Sequence, residues 1–122
     1  MTLLLIAVGG ALGTVGRYGV SLWVTQRIGP GPLGIFIVNV TGAFLIGFVL
    51  VATETRFPLS LDTRRFIAVG LLGGYTTFST LMFETMMLIE AGSYTRAVAN
   101  SLGSIAVGLV AVALGIALAR AL

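Results

Sequence analysis

The sequence predicts an all-α membrane protein with four transmembrane helices, and three observations support this fold class. The chain has 122 residues, of which 57% are hydrophobic and 9% charged, and its mean hydropathy is +1.10. A soluble domain of this size buries only about 60–70% of the surface that its unfolded chain exposes, so it could not hide this much apolar surface. The apolar residues also form four runs of about 20 residues, the length that crosses a bilayer. We expect one domain, residues 1–122.

Short polar connections separate the four predicted spans. They read "RIGPGP", "TETRFPLSLDTRR" and "EAGSYTR" in chain order. All three prolines lie in these connections, where a missing amide donor interrupts no helix. The spans between the connections are approximately Thr2–Thr25, Leu33–Ala52, Phe66–Ile89 and Ala97–Ala119.

The charged and metal-binding residue types exclude several functions. The seven basic residues are all arginines, mostly at the ends of apolar runs rather than in a patch, so we predict no nucleic-acid partner. The chain has no cysteine and no histidine, which argues against a soft-metal site. It has no G-x-x-x-x-G-K-[ST] motif for a nucleotide. We therefore expect neither a soft-metal site nor a P-loop nucleotide site.

The arginines leave the orientation in the membrane open. Four arginines lie on the side of the membrane that holds the N-terminus, the second connection and the C-terminus: Arg56, Arg64, Arg65 and Arg120. Arg27 and Arg96 lie on the opposite side. This bias favours an inside N-terminus only weakly, so insertion in both orientations is compatible with the sequence.

Small residues recur at the spacing of helix contacts. Two rows stand out: Gly9, Gly13 and Gly16 in the first span, and Ala111, Gly115 and Ala119 in the fourth. In lipid, helices associate through close backbone approach rather than through the hydrophobic effect. We interpret both rows as packing faces.

Two ionisable residues fall within predicted spans, Arg17 in the first and Glu84 in the third. A charge near the bilayer centre costs about 2.5–3.5 kcal/mol on insertion scales. Both side chains should therefore face protein or water, or pair with each other. The structural alternatives are that Arg17 extends to the membrane surface and that Glu84 makes a hydrogen bond or salt bridge between helices.

Polar side chains also occur at middle depth in the second and fourth spans. Asn39 is the only amide of the second span, and Asn100, Ser104 and Gly108 share one face of the fourth. A single asparagine in a span is often only a hydrogen-bonded contact between helices. Polar groups in three spans at similar depth favour a polar path instead.

The third span, "GLLGGYTTFSTLMFETMML", predicts a broken helix. Each of the two glycines, Gly73 and Gly74, weakens a helix by about 1 kcal/mol, and the hydroxyls that follow can bond to nearby carbonyls. Irregular backbone persists at this depth only where protein or a cavity surrounds it. The carbonyls of the first half-helix suit a cation and the amides of the second suit an anion. The alternative is a kink that serves packing only.

Three segments together resemble the Fluc (CrcB) family of fluoride channels over nearly the whole chain. They are "GGALGTVGRY", "PLGIFIVNVTGAFLIG" and "GGYTTFSTLMFE". The resemblance implies a fluoride-selective channel, not an enzyme, in the cell (plasma or inner) membrane, and this channel would lower cytoplasmic fluoride by passive export. It further implies a dual-topology homodimer of antiparallel copies, with fluoride, sodium and the lipid bilayer as partners. A structural Na⁺ would bind the backbone carbonyls of Gly73 and Thr76 at the dimer centre.

The resemblance also implies a fluoride pathway and its charged surroundings. The pathway residues would be Asn39, Phe78, Ser79, Thr80 and Ser104. Arg17 and Glu84 would be vestibule charges or a pair. The sequence departs from the family at Leu81, where a second pathway phenylalanine is usual, and Phe83 lies on a different helix face.

Two other functions compete with the channel. A non-transporting membrane scaffold subunit would use its polar residues only as contacts between helices. A small multidrug-type exporter coupled to protons would need a carboxylate deep in the first span, where this chain has Arg17. The second alternative is therefore the weaker one.

Overall fold

The computed structural model describes residues 1–122, and every regular element in it is a helix. Four helical segments are long and apolar enough to cross a membrane: Thr2–Ile28, Leu33–Thr55, Leu61–Glu90 and Tyr94–Ala121. The first, second and fourth are the single helices α1, α2 and α6. The prediction of four spans is confirmed.

The third segment is built from several helical pieces. It begins with α3 (Leu61–Arg65), continues as a π-helix (Phe66–Leu72) and reaches α4 (Gly73–Tyr75). Thr76 and Thr77 then have extended backbone angles, with ψ of 157° and 126°. Helix α5 (Phe78–Glu90) completes the segment. Helical geometry thus stops for two residues, between the end of α4 and the start of α5.

The second connection is shorter than the sequence analysis predicted. Helix α3 begins at Leu61 because the Ser60 hydroxyl accepts a hydrogen bond from the Thr63 amide at 3.2 Å, which caps the first turn. Arg64 also donates to Glu54 at 2.6 Å and so joins α3 to the last turn of α2. The prediction that Leu61–Arg65 belongs to the connection is therefore wrong.

Helices α2 and α6 pack with their backbones close together. A Cβ atom added to Gly47 would lie 2.6 Å from the carbonyl oxygen of Val112, and one added to Gly115 would overlap the carbonyl of Phe44. The small row predicted in the fourth span is buried at all three positions, Ala111, Gly115 and Ala119. These residues form the packing face on α2, as expected.

Helix α1 packs against the first half of the third segment. A Cβ atom on Gly9 would lie 2.7 Å from the carbonyl oxygen of Phe66, and one on Gly74 would lie 2.5 Å from the carbonyl oxygen of Gly10. Gly13 is buried against the backbone of the same segment, whereas Gly16 is exposed. The close contact holds the π-helix and α4 on α1, and it positions Thr76 and Thr77 beside α2.

Most of the surface of the single chain is apolar and open. Only 19 of the 122 residues are buried, and large side chains such as Leu3, Leu109 and Phe78 are more than 60% exposed. In a bilayer this surface contacts acyl chains or another protein instead of water, so no apolar surface has to be hydrated.

Candidate functional site

The extended residues of the third segment are held by the amide side chain of Asn39. Asn39 Nδ2 donates to the Thr77 carbonyl at 2.8 Å, and the Thr77 amide donates to Asn39 Oδ1 at 2.8 Å. These two bonds replace the helical bonds that Thr77 would otherwise make. Asn39 keeps a second N–H on Nδ2, because the side-chain amide carries two donors.

Thr76 bonds to its own segment and to α1, and it packs closely against α2. Its hydroxyl donates to the Leu72 carbonyl at 2.9 Å, and its own carbonyl accepts from Arg17 Nη1 at 3.3 Å. A Cβ atom on Gly42 would overlap the Thr76 methyl group, so the glycine makes room for this residue. Arg17 therefore contacts the interrupted backbone from α1.

Thr77 begins helix α5 and gathers the nearby hydroxyls. Its Oγ1 accepts from the Thr80 amide at 3.3 Å, which caps the helix. The same oxygen lies 3.2 Å from Ser79 Oγ and 3.2 Å from Thr80 Oγ1. The three hydroxyls form a small cluster at the positive end of α5.

A cavity of about 500 Å³ opens beside these residues, and it brings together five of the residues predicted for the site. They are Asn39, Gly73, Thr76, Phe78 and Ser104. Thr77 and Leu81 also line it. The cavity therefore joins the carbonyl positions, the amide, the aromatic ring and the hydroxyl of α6 around the interrupted segment.

The other predicted residues lie outside this cavity. Ser79 is exposed and Thr80 half-buried, and both reach the site only through the hydroxyl of Thr77. Leu81 is 6% exposed and lines the cavity, whereas Phe83 is 64% exposed and does not. The position where the family has a second phenylalanine thus faces the cavity with an aliphatic side chain.

Ser104 belongs to a chain of hydrogen bonds that runs along α6 to α5. Its hydroxyl donates to the Asn100 carbonyl at 2.5 Å, and Asn100 Nδ2 donates to Thr85 Oγ1 at 3.0 Å. Thr85 in turn donates to the Leu81 carbonyl at 2.8 Å. Asn100 is 7% exposed and Ser104 is 9% exposed, so both are buried polar groups with partners.

Glu84 lies in a second cavity, of about 340 Å³, near the connection between α1 and α2. Its neighbours there include Gly31, Pro32 and Arg96. Glu84 Oε2 is buried and has no hydrogen-bond partner. The ion pairs of the chain join Arg64 to Glu54 and Arg65 to Asp62, so Arg17 does not neutralise Glu84 within one chain.

The carbonyl oxygens of Gly73 and Thr76 are ligands of the type that a hard cation takes. The usual helical partner of the Gly73 carbonyl is the Thr77 amide, and that amide bonds to Asn39 Oδ1 instead. The Thr76 carbonyl accepts one bond, from Arg17, and a carbonyl oxygen has a second lone pair. Carbonyl oxygens suit Na⁺-like ions, as they do in ion-selective filters, although the Arg17 guanidinium adds a positive charge beside them.

The structure adds three site residues that the sequence analysis did not single out. Thr77 caps α5 and bonds to Asn39, Thr85 bonds to Asn100, and Arg96 lines the cavity of Glu84. Of the three, only Arg96 could have been predicted from the sequence, because Arg96, Asn100 and Ser104 are spaced four apart and so share one face of α6. The contacts of Thr77 and Thr85 depend on which helices meet, which spacing within one helix does not reveal.

The fold and the site define a multi-pass α-helical protein of the cell membrane with a polar site at an interrupted span. The model of the family described as CrcB-like protein, Camphor Resistance (CrcB), matches residues 4–116. The chain belongs to this family, which confirms the resemblance found in its sequence.

Curated relatives match over nearly their full length. The fluoride-specific ion channel FluC of Roseiflexus sp. (strain RS-1) is 49% identical over 123 residues, covering 100% of this chain and 99% of the relative. The protein of the same name from Chloroflexus aurantiacus (strain J-10-fl) is 43% identical and covers 97% and 94%. That from Thermus thermophilus is 44% identical and covers 98% and 94%. These relatives are named as ion channels, and the chain is not an enzyme.

Proposed function

We propose that this chain is a fluoride-selective channel that lowers cytoplasmic fluoride by letting it leave passively down its gradient. The names of the full-length relatives support the assignment of fluoride as the transported ion. The observation that carries the proposal is one cavity lined by Asn39, Phe78 and Ser104 beside the interrupted span. A channel needs such a polar path at membrane depth, and a helix used only for packing does not.

The chemistry of the cavity suits a small, strongly hydrated anion. Fluoride loses its water only where donors replace it, and the second N–H of Asn39 is such a donor. The Thr77–Ser79–Thr80 hydroxyl cluster adds further O–H groups close by. Phe78, at 73% exposure, can present its electropositive ring edge to an anion.

We also propose that the channel is a homodimer of antiparallel copies with a structural sodium ion at its centre. Gly73 and Phe78 are both exposed on the single chain although they lie at a site that should be shielded from lipid. A second copy related by a two-fold axis in the membrane plane would cover them. The axis would bring two sets of Gly73 and Thr76 carbonyls together, and four carbonyl oxygens suit Na⁺.

Fluoride efflux from liposomes tests the proposed function directly. Purified protein in liposomes loaded with fluoride should release it when a potassium ionophore balances the charge, and liposomes loaded with chloride should release far less. Protein-free liposomes are the control for leakage. A non-transporting scaffold subunit releases neither ion, and equal release of both ions would contradict fluoride selectivity.

The same assay separates a channel from a proton-coupled multidrug exporter. Passive fluoride efflux needs neither a proton gradient nor an organic cation. Helix α1, where such an exporter would carry its carboxylate, has Arg17 and no acidic residue. Efflux that appears only with an imposed pH gradient and an organic cation would overturn the channel proposal.

A further inference from the structure

Arg96 lies where two cavities meet at one end of the helical bundle. It stands in the first turn of α6 and lines both a cavity of about 490 Å³ and the cavity of about 340 Å³ that holds Glu84. Gly31 and Pro32 line both cavities as well. The Arg96 side chain is exposed, so this end of the bundle is accessible from the membrane surface.

One hydrogen bond links the larger of these cavities to the wall of the central cavity. Asn100 lines the larger cavity, and Asn100 accepts the hydrogen bond of Ser104, which lines the central cavity of about 500 Å³. Arg96, Asn100 and Ser104 are spaced four apart and lie on one face of α6. The face thus runs from an exposed charge, through a buried amide, to the hydroxyl beside Phe78.

The two cavities at this end of the bundle are lined by one carboxyl group and one guanidinium. Glu84 lines the adjoining cavity, and its Oε2 is buried without a hydrogen-bond partner. Arg96 is the only basic residue that lines either cavity. It takes part in neither ion pair of the chain, so its charge is not neutralised by direct contact with a carboxylate.

We propose that Arg96 is the anion-attracting residue at this mouth of the pathway. Its guanidinium raises the positive potential at this mouth, and with it the local concentration of hydrated fluoride, before the ion reaches Asn100 and Ser104. This proposal rests on the proposed fluoride channel. Arg96 acts on the hydrated ion at a distance, so its charge matters more than its shape.

Fluoride currents in planar bilayers, recorded over a range of fluoride concentrations, test this role. Arg96→Gln should raise the half-saturating fluoride concentration about threefold at low ionic strength, and Arg96→Glu should raise it further. Arg96→Lys should stay near wild type because it keeps the charge. The maximal current should change little in all three Arg96 variants, because the central cavity, where fluoride would lose its water, is intact. In ~1 M of an impermeant salt the differences should largely disappear.

Arg27→Gln is the matched control. Arg27 is also exposed and lies on the same side of the membrane, but it packs over the Trp23 ring at 5.9 Å and lines none of the three cavities. Its removal should leave the half-saturating concentration unchanged.

Three outcomes would overturn the role of Arg96. They are an Arg96→Gln channel that behaves like Arg27→Gln, a loss in Arg96→Lys as large as in Arg96→Gln, and a lowered maximal current with unchanged half-saturation. A wild-type protein that carries no fluoride current would instead reject the proposed channel, and this role with it.

Discussion

At the scale of single residues, Asn39 both lines the cavity and holds the backbone of Thr77, and the sequence predicted only the first. We propose that its second N–H serves fluoride in this cavity, and it bonds to both the amide and the carbonyl of Thr77. Asn39→Asp keeps the acceptor for the Thr77 amide but removes the donor to the Thr77 carbonyl and adds a negative charge. We expect fluoride efflux from liposomes to fall by about 100-fold or more, since a charge at this depth costs several kcal/mol to an approaching anion.

Thr55→Val provides the control on the same helix. Thr55 is exposed at the end of α2, and its hydroxyl donates only to the Val51 carbonyl at 2.9 Å. This variant should keep wild-type efflux. Wild-type efflux in Asn39→Asp would remove Asn39 from the fluoride pathway.

Two phenylalanines on α5 form a natural matched pair for the pathway. Phe78 and Phe83 are 73% and 64% exposed, but only Phe78 lines the central cavity. Phe78→Ile removes the ring edge and should slow fluoride efflux about two- to thirteenfold, the equivalent of an aromatic interaction of about 0.5–1.5 kcal/mol. Phe83→Ile should have a smaller effect. The reverse order would mean that the ring used for conduction lies on the other face of α5.

At the scale of helices, the contact between α2 and α6 depends on residues without side chains. A Cβ atom on Gly47 would lie 2.6 Å from the Val112 carbonyl, whereas one on Gly103 would meet nothing within 4 Å. Gly47→Ala should destabilise the protein by about 1–3 kcal/mol because the helices must separate. Gly103→Ala should be neutral or stabilising by up to ~1 kcal/mol because alanine favours the helix.

Thermal unfolding in detergent, followed by circular dichroism, measures both variants. The expected result is a lower midpoint for Gly47→Ala and an unchanged or higher one for Gly103→Ala. Equal midpoints would show that α2 and α6 can shift apart without cost at Gly47.

The sequence predicts the spans and the small packing rows because both follow from patterns within one helix. Apolar runs define four membrane helices, and Ala111, Gly115 and Ala119 repeat at the spacing of one helix face. The π-helix at Phe66–Leu72 and the early start of α3 were not predictable in this way. The π-helix lies in close contact with Gly9 of α1, and the start of α3 is fixed by a cap and an ion pair with α2.

The contacts of the candidate site were not predictable from the sequence. Five of the nine residues predicted for it line one cavity, namely Asn39, Gly73, Thr76, Phe78 and Ser104, and their roles stay predictions. Asn39 bonds to the backbone of Thr77, which lies 38 positions away in the sequence. A contact over this distance cannot be read from the pattern of a single sequence. The same holds for the contact of Arg17 with the Thr76 carbonyl.

At the scale of the whole molecule, the proposed dimer explains why the polar site is open in one chain. Gly73 is exposed, and Phe78 is 73% exposed where it lines the cavity. An extended backbone such as that of Thr76 and Thr77 is not tolerated in contact with lipid. A second antiparallel copy would cover this face, and the weak arginine bias between the two membrane sides allows both orientations.

Removing sodium tests the centre of that assembly. The carbonyls of Gly73 and Thr76 would hold the ion between two copies, and an ion that binds only the dimer stabilises it by about 2.7 kcal/mol when its concentration is about 100 times the dissociation constant. Full exchange of Na⁺ for N-methylglucamine should therefore lower the dimer fraction in detergent, measured by analytical ultracentrifugation, or reduce the fluoride current. The control exchanges chloride for another anion at constant Na⁺ and should change neither the dimer fraction nor the current.

Because Arg17 already donates to the Thr76 carbonyl at 3.3 Å, its guanidinium could serve as the central charge without a metal. An unchanged dimer fraction and an unchanged current without Na⁺ would favour that arrangement and contradict the sodium site.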